Sequence, residues 1–92
     1  MEAEGRHPAC VLTRDEAIPS LRNVVVATVT SRKWGIGSEV SLGREDGMPQ
    51  ECVISLDNLR TVPKGHLTEP ITRLGPEKMD EVCRALATAT SC

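Results

Sequence analysis

The run Asn23-Val24-Val25-Val26-Ala27-Thr28-Val29 constrains this chain more than any other segment. It is apolar and β-branched, the pattern of a central, buried strand. Such a strand ordinarily turns with Gly, Pro or Asn. This one runs into Thr30-Ser31-Arg32-Lys33-Trp34 and reaches its glycines only at Gly35 and Gly37. Two hydroxyls on the end of a rigid strand, followed by two cations, make a candidate anion site. The plainer alternative is an ordinary strand end with a solvated loop.

With 92 residues the chain has room for one domain, residues 1–92, and a small core. Its 39% hydrophobic and 26% charged residues read as globular rather than disordered. Trp34 is the only aromatic residue, so the core must be built from Val, Leu, Ile, Ala and Met. Such a core is marginal, and dimerisation is a common remedy. The shortage of rings also argues against binding RNA through a row of stacked bases. A net charge of -2 excludes a whole-molecule electrostatic trap for nucleic acid. Cations nevertheless gather locally. Arg22, Arg32 and Lys33 lie in one acid-free stretch, and Arg60, Lys64 and His66 in another. Basic loops on a mildly acidic body fit a small anionic site better than a duplex-binding face.

Cys10, Cys52, Cys83 and Cys92 include no C-x-x-C pair, and the two histidines sit at no zinc spacing, so no metal and no cofactor is expected. Cys10, Cys52 and Cys83 lie in apolar patterns and read as small core residues, Cys92 as an exposed free thiol. No signal peptide and no long apolar stretch is visible, which points to a reducing cytoplasm and no membrane contact.

Residues 1–7 are polar and read as loose. Ala9 to Leu12 reads as a short buried strand opened by Pro8. Thr13 is placed to cap one helical turn, with Glu16 three residues on and Pro19 ending it. Asn23–Thr30 is the central strand. In Glu39–Leu42, alternation points Val40 and Leu42 inward and Glu39 and Ser41 to solvent. After a turn over Gly43–Gly47, Glu51–Leu56 reads as a strand; Asp57-Asn58 leads to Leu59–Val62, and Pro70–Leu74 to a last short strand. The final helix starts at Pro76 with Gly75 as cap and a Leu74–Met79 staple. Its apolar stripe is Met79, Val82, Cys83, Leu86 and Ala87. Short strands, frequent turns and one terminal helix predict a mainly β, α+β fold: a small barrel or half-barrel capped by the helix.

Gly35-Ile36-Gly37 lacks the rest of either nucleotide-binding motif, and no G-x-S-x-G is present. What remains is Arg6-His7 before one strand and Thr30-Ser31-Arg32-Lys33 after another. If these strands are neighbours, both groups reach one phosphate. Arg and His then share charge stabilisation and proton transfer, and a Thr hydroxyl donates a hydrogen bond. That set suits RNA cleavage by attack of the ribose 2′-hydroxyl. Taken alone, Arg6-His7 reads first as solvated tail.

These segments resemble a known family. Gly5-Arg6-His7-Pro8-Ala9-Cys10-Val11-Leu12-Thr13 resembles the R-P-x-x-V-L strand of the MazF/PemK ribosome-independent endoribonuclease toxins. Val24 to Ser31 is similar to their V-x-V-A-P-[IV]-T-S strand. Val53 to Leu67 is similar to their V-x-L-D-Q-[IV]-R-T-[IV]-D-K-x-x-L segment. Ile71-Thr72-Arg73-Leu74, then Met79, Val82 and Ala85-Leu86, resembles the I-G-x-L…M-x-x-V-x-x-A-L ending. The four pieces stand in order from about residue 5 to residue 90.

The resemblance implies an SH3-like β-barrel with a C-terminal helix, usually a homodimer. It implies an mRNA interferase of a toxin–antitoxin system, cutting single-stranded RNA sequence-selectively to leave a 2′,3′-cyclic phosphate and a 5′-hydroxyl. It implies a MazE-like antitoxin whose acidic tail occupies the dimer groove, with operator DNA reached only through that antitoxin. The family's catalytic Thr or Ser falls on Thr30, with Ser31 beside it; Arg32 and Lys33 become flanking phosphate contacts. The family's catalytic Arg precedes the Pro of R-P. Here that position is His7, and Arg6 is one earlier, so either Arg6 serves or His7 takes over proton transfer. Ala27-Thr28 replaces the usual A-P. Only six residues precede His7, so the family's first strand and its loop are expected to be missing, leaving a sheet edge or groove open. A rival reading is a catalytically weak or inactive module that binds antitoxin and modulates its repression of the operon.

Overall fold

The computed structural model describes residues 2–4, 7–31 and 34–90. Among the described residues six strands form one antiparallel sheet: β1 (Glu2–Glu4), β2 (His7–Val11), β3 (Asn23–Thr30), β4 (Glu39–Leu42), β5 (Cys52–Pro63) and β6 (Leu67–Pro70). Their order is β4-β5-β3-β2-β1-β6. The helix α1 (Pro76–Thr90) follows and packs on β4 and β5. This is the curled, mainly β half-barrel with a terminal helix that the SH3-like resemblance implies.

The β-branched run takes the middle of the sheet, hydrogen-bonded to β2 on one side and β5 on the other. Alternation sends Val24 and Val26 to one face and Ala27 and Val29 to the other. Each face therefore closes a small core. One holds Ala9, Val24, Val26 and Val62; the larger holds Cys10, Ala27, Val29, Val40, Leu42, Ile54, Leu56 and the helix residues Val82 and Ala85. Val25 stays exposed, so the run is not buried throughout.

Several elements differ from the sequence reading. Residues 1–7, read as loose, contain β1, which pairs with β2 (Glu2 opposite Ala9) and with β6 (Glu2 opposite Pro70). The edge of β2, expected to stand open, is thereby covered. Glu-Ala-Glu carries no apolar pattern that marks a strand; its backbone is paired on both sides. The two segments joined by Asp57-Asn58 are one strand, β5. Its register with β3 steps from Ala27–Leu59 to Thr28–Ser55, so Leu56, Asp57 and Asn58 bulge out of the ladder. Thr13 caps no helix; its hydroxyl accepts the Val25 N–H at 2.9 Å. A turn does form there, with the Ala17 N–H donating to the Arg14 carbonyl at 3.0 Å and the Ile18 N–H to the Asp15 carbonyl at 3.3 Å, but it runs on into a 3-10 helix over Ile18–Ser20 that contains Pro19 in its first turn rather than ending at it. The last strand spans Leu67–Pro70, ending where Pro70–Leu74 was expected to begin.

In α1 the Met79 N–H bonds the Gly75 carbonyl at 3.0 Å, and Leu74 and Met79 both pack on the larger core, as the staple requires. The buried stripe is rotated, however. Val82 and Ala85 face the sheet with Met79, Leu86 and Ala89, while Cys83 is exposed. Two alanines flush with the sheet let the helix approach closely, a fit that hydrophobic counting undervalues. Cys10 and Cys52 are buried as expected. Cys92 lies outside the described residues.

Candidate functional site

Thr30 closes β3 opposite Val53 and is half-buried; Ser31 follows, exposed. β2 runs antiparallel beside it with Ala9 opposite Thr28. The start of β2, His7, and the end of β3, Thr30, therefore lie at the same end of adjacent strands. Arg6, Arg32 and Lys33 lie outside the described residues.

Thr28, two residues before Thr30, shares its face of the sheet. Its hydroxyl donates to the Asn58 carbonyl at 3.2 Å, and the Asn58 amide donates to the buried Ser55 hydroxyl at 3.1 Å. The end of β3 is thus braced against the β5 bulge by polar contacts. The buried Ser38 hydroxyl donates to the Asp57 carboxylate, and the Leu56 N–H donates to the Ser38 carbonyl at 2.9 Å. Asp57 is exposed but holds this loop-to-bulge bond.

The loop after Ser31 closes on Glu39. Trp34 N–H donates to both carboxylate oxygens at 3.1 and 3.2 Å, Gly35 N–H to Oε1 at 2.9 Å, and Ile36 N–H to Oε1 at 3.4 Å. Three successive amides around one carboxylate form an anion nest, filled from within the chain. Gly35 supports it with φ of 73°, a left-handed conformation that suits glycine. Alternation assigned Glu39 to solvent. The signal that could have found it is an acid four residues beyond a glycine-bearing turn.

Arg22, Lys64 and His66 do not join Thr30. The β3–β5 pairing sets Asn23 opposite Pro63, and the Lys64 N–H donates to the Arg22 carbonyl at 2.9 Å. Arg22 and Lys64 therefore sit at the opposite end of β3, about 23 Å along the strand. His66 is exposed nearby in a 3-10 turn. Among the described residues no cluster of three His, Cys, Asp or Glu could hold a metal, and no helix is long and apolar enough to cross a membrane. Burial raises the Cys10 thiol above its ordinary range; burial and then the Asp46 charge do the same for Cys52.

The match to a family model decides the identity: residues 1–90 fit the PemK-like, MazF-like toxins of type II toxin–antitoxin systems. The chain belongs to this family. It is similar to Probable endoribonuclease MazF2 of Mycobacterium tuberculosis, 37% identical over 89 residues that cover 96% of this chain and 87% of that protein. It is similar to the crystal structure of an Mtb toxin, at a TM-score of 0.91 and 31% identity, covering 96% of this chain and 97% of the other. It also resembles a crystal structure of MazE-MazF from Deinococcus radiodurans, at a TM-score of 0.77 and 25% identity, covering 94% of this chain and 82% of that one. The toxin's half-barrel and terminal helix thus have close solved counterparts.

Proposed function

We propose that this MazF-like toxin is an endoribonuclease that cuts single-stranded RNA sequence-selectively within a toxin–antitoxin system. The observation that carries the reading is the family match over residues 1–90, strengthened by the likeness to Probable endoribonuclease MazF2. The end of β3, with Thr30 beside the start of β2, is the proposed reaction centre.

There the Thr30 hydroxyl donates a hydrogen bond to a non-bridging oxygen of the scissile phosphate, with Ser31 beside it. The ribose 2′-oxygen attacks phosphorus as its proton leaves to a base, and the P–O5′ bond breaks. The 5′-oxygen takes up a proton, giving a 2′,3′-cyclic phosphate and a 5′-hydroxyl. His7 is suited to carry these protons, and Arg6 to stabilise charge building on the phosphoryl oxygens. Arg32 and Lys33 contact flanking phosphates as point charges. The toxin works as a cytoplasmic homodimer held in check by a MazE-like antitoxin, a partnership for which the solved MazE-MazF pair of Deinococcus radiodurans is the precedent.

End-group analysis tests the chemistry. Fragments should accept 5′-phosphate from a kinase without prior phosphatase treatment and should carry cyclic phosphate at the other end. Fragments with 5′-phosphates would exclude 2′-hydroxyl attack. His7→Gln should alter the pH–rate profile; a profile identical to the parent's would remove His7 from the proton path and leave Arg6 in its place.

A further inference from the structure

Trp34 is the chain's only aromatic residue, in a protein whose core has no rings at all. The default place for the largest side chain of a marginal core is inside it. Trp34 is instead 69% exposed, with Ile36 beside it 50% exposed. Its backbone is not loose: the Glu39 carboxylate, anchored on β4, holds the amides of Trp34, Gly35 and Ile36. A ring displayed on a loop already ordered loses little conformational freedom when something docks on it.

Trp34 stands four residues after Thr30, so their Cα atoms are at most about 14 Å apart. Arg32 and Lys33 fill the interval in sequence. Cations followed by an exposed ring are the two components of single-strand binding, one for the backbone and one for a base. We infer that Trp34 stacks on a base of the RNA next to the cut and that Glu39 is the positioning residue that presents it. This deepens the nuclease reading and rests on it. A single ring gives one stacked base rather than the row of an RNA-recognition sheet. Stacking tolerates any base, so this contact supplies affinity near the cut rather than the sequence preference itself.

Trp34 also reports on itself, since all indole emission comes from it. The parent toxin is titrated with a mixed-sequence single strand of 2′-O-methyl RNA, which lacks the attacking hydroxyl. Saturable quenching of the emission is expected. In cleavage of a long RNA, Trp34→Ala should raise KM by about 5- to 150-fold while kcat changes far less. Trp34→Phe should recover much of the loss, and Glu39→Gln should reduce both quenching and affinity with the ring still present. Cleavage without quenching, with KM unchanged in Trp34→Ala, would overturn the inference and leave the nuclease reading standing. Quenching in a chain that cuts no RNA would do the reverse. An emission shift that follows protein concentration and not RNA would assign the ring to a second copy of the chain and also overturn the inference.

Discussion

The Ser38–Asp57 hydrogen bond offers a test in which two partners of one contact should differ in cost. Ser38 is 5% exposed, whereas Asp57 is an exposed residue of the β5 bulge. In Ser38→Ala the carboxylate loses a donor but water replaces it, so the loss is about 1 kcal/mol. In Asp57→Ala the Ser38 hydroxyl stays behind, buried and without this acceptor, at about 1–3 kcal/mol. The double variant should cost no more than Ser38→Ala, because both halves of the mismatch are gone; the coupling then matches the Asp57→Ala loss, about 1–3 kcal/mol. A chain of 92 residues loses about 5 °C of Tm per kcal/mol. Thermal and urea unfolding followed by circular dichroism should therefore rank Asp57→Ala clearly below Ser38→Ala, with the double variant level with the latter. An Asp57→Ala protein as stable as Ser38→Ala, or a strictly additive double variant, would refute the reasoning. It would mean that the hydroxyl finds another acceptor or that the bond carries no net stability.

Gly47 has φ of 89°, and a Cβ there would stand 2.9 Å from the Thr72 Cβ. Gly47→Ala should cost about 2–4 kcal/mol, or about 10–20 °C of Tm. Gly65→Ala, which meets nothing within 4 Å, is the matched control and should melt close to the parent. Ile54 is fully buried in the larger core, so Ile54→Ala should lose about 2–5 kcal/mol in urea unfolding, and a loss under about 1 kcal/mol would show that the core collapses around the gap. The Cys10 and Cys52 thiols are raised from 9.0. Their contribution is complete below the unfolded value and disappears as pH rises through the folded one, so stability should fall on the alkaline side of about pH 9. Cys10→Ala should flatten that fall. In a Cys92→Ser background, native-state alkylation should label Cys83 quickly and Cys10 and Cys52 only on unfolding.

The parts of the fold written in apolar periodicity were legible. β3 follows from its β-branched run, α1 from Gly75-Pro76 and the staple, and the inward Val40 and Leu42 from strict alternation. What escaped is held by the backbone or by tertiary fit. β1 is Glu-Ala-Glu, with no apolar alternation to mark it, and it is paired on both sides, with β2 and with β6. The continuity of β5 depends on β3 supplying partners on both sides of a bulge that reads locally as a break. Ala85 and Ala89 outrank Cys83 and Ala87 because the sheet decides which side of the helix it meets. Near the proposed site, the end of β3 at Thr30 was legible from the polar residues that follow the apolar run. Glu39 was not, because period-two alternation treats an outward carboxylate as solvated and says nothing of the three amides that turn back to meet it.

Incubation of the purified toxin and of Thr30→Ala with a long single-stranded RNA in EDTA, with the ends mapped by primer extension, tests the proposed reaction centre directly. Discrete cuts by the parent are expected, with at least a tenfold loss in Thr30→Ala and the fold of the variant unchanged by circular dichroism. Equal cutting by both would remove Thr30 from the reaction centre. Intact RNA with a folded parent would contradict the central claim and leave antitoxin binding as the function of the half-barrel.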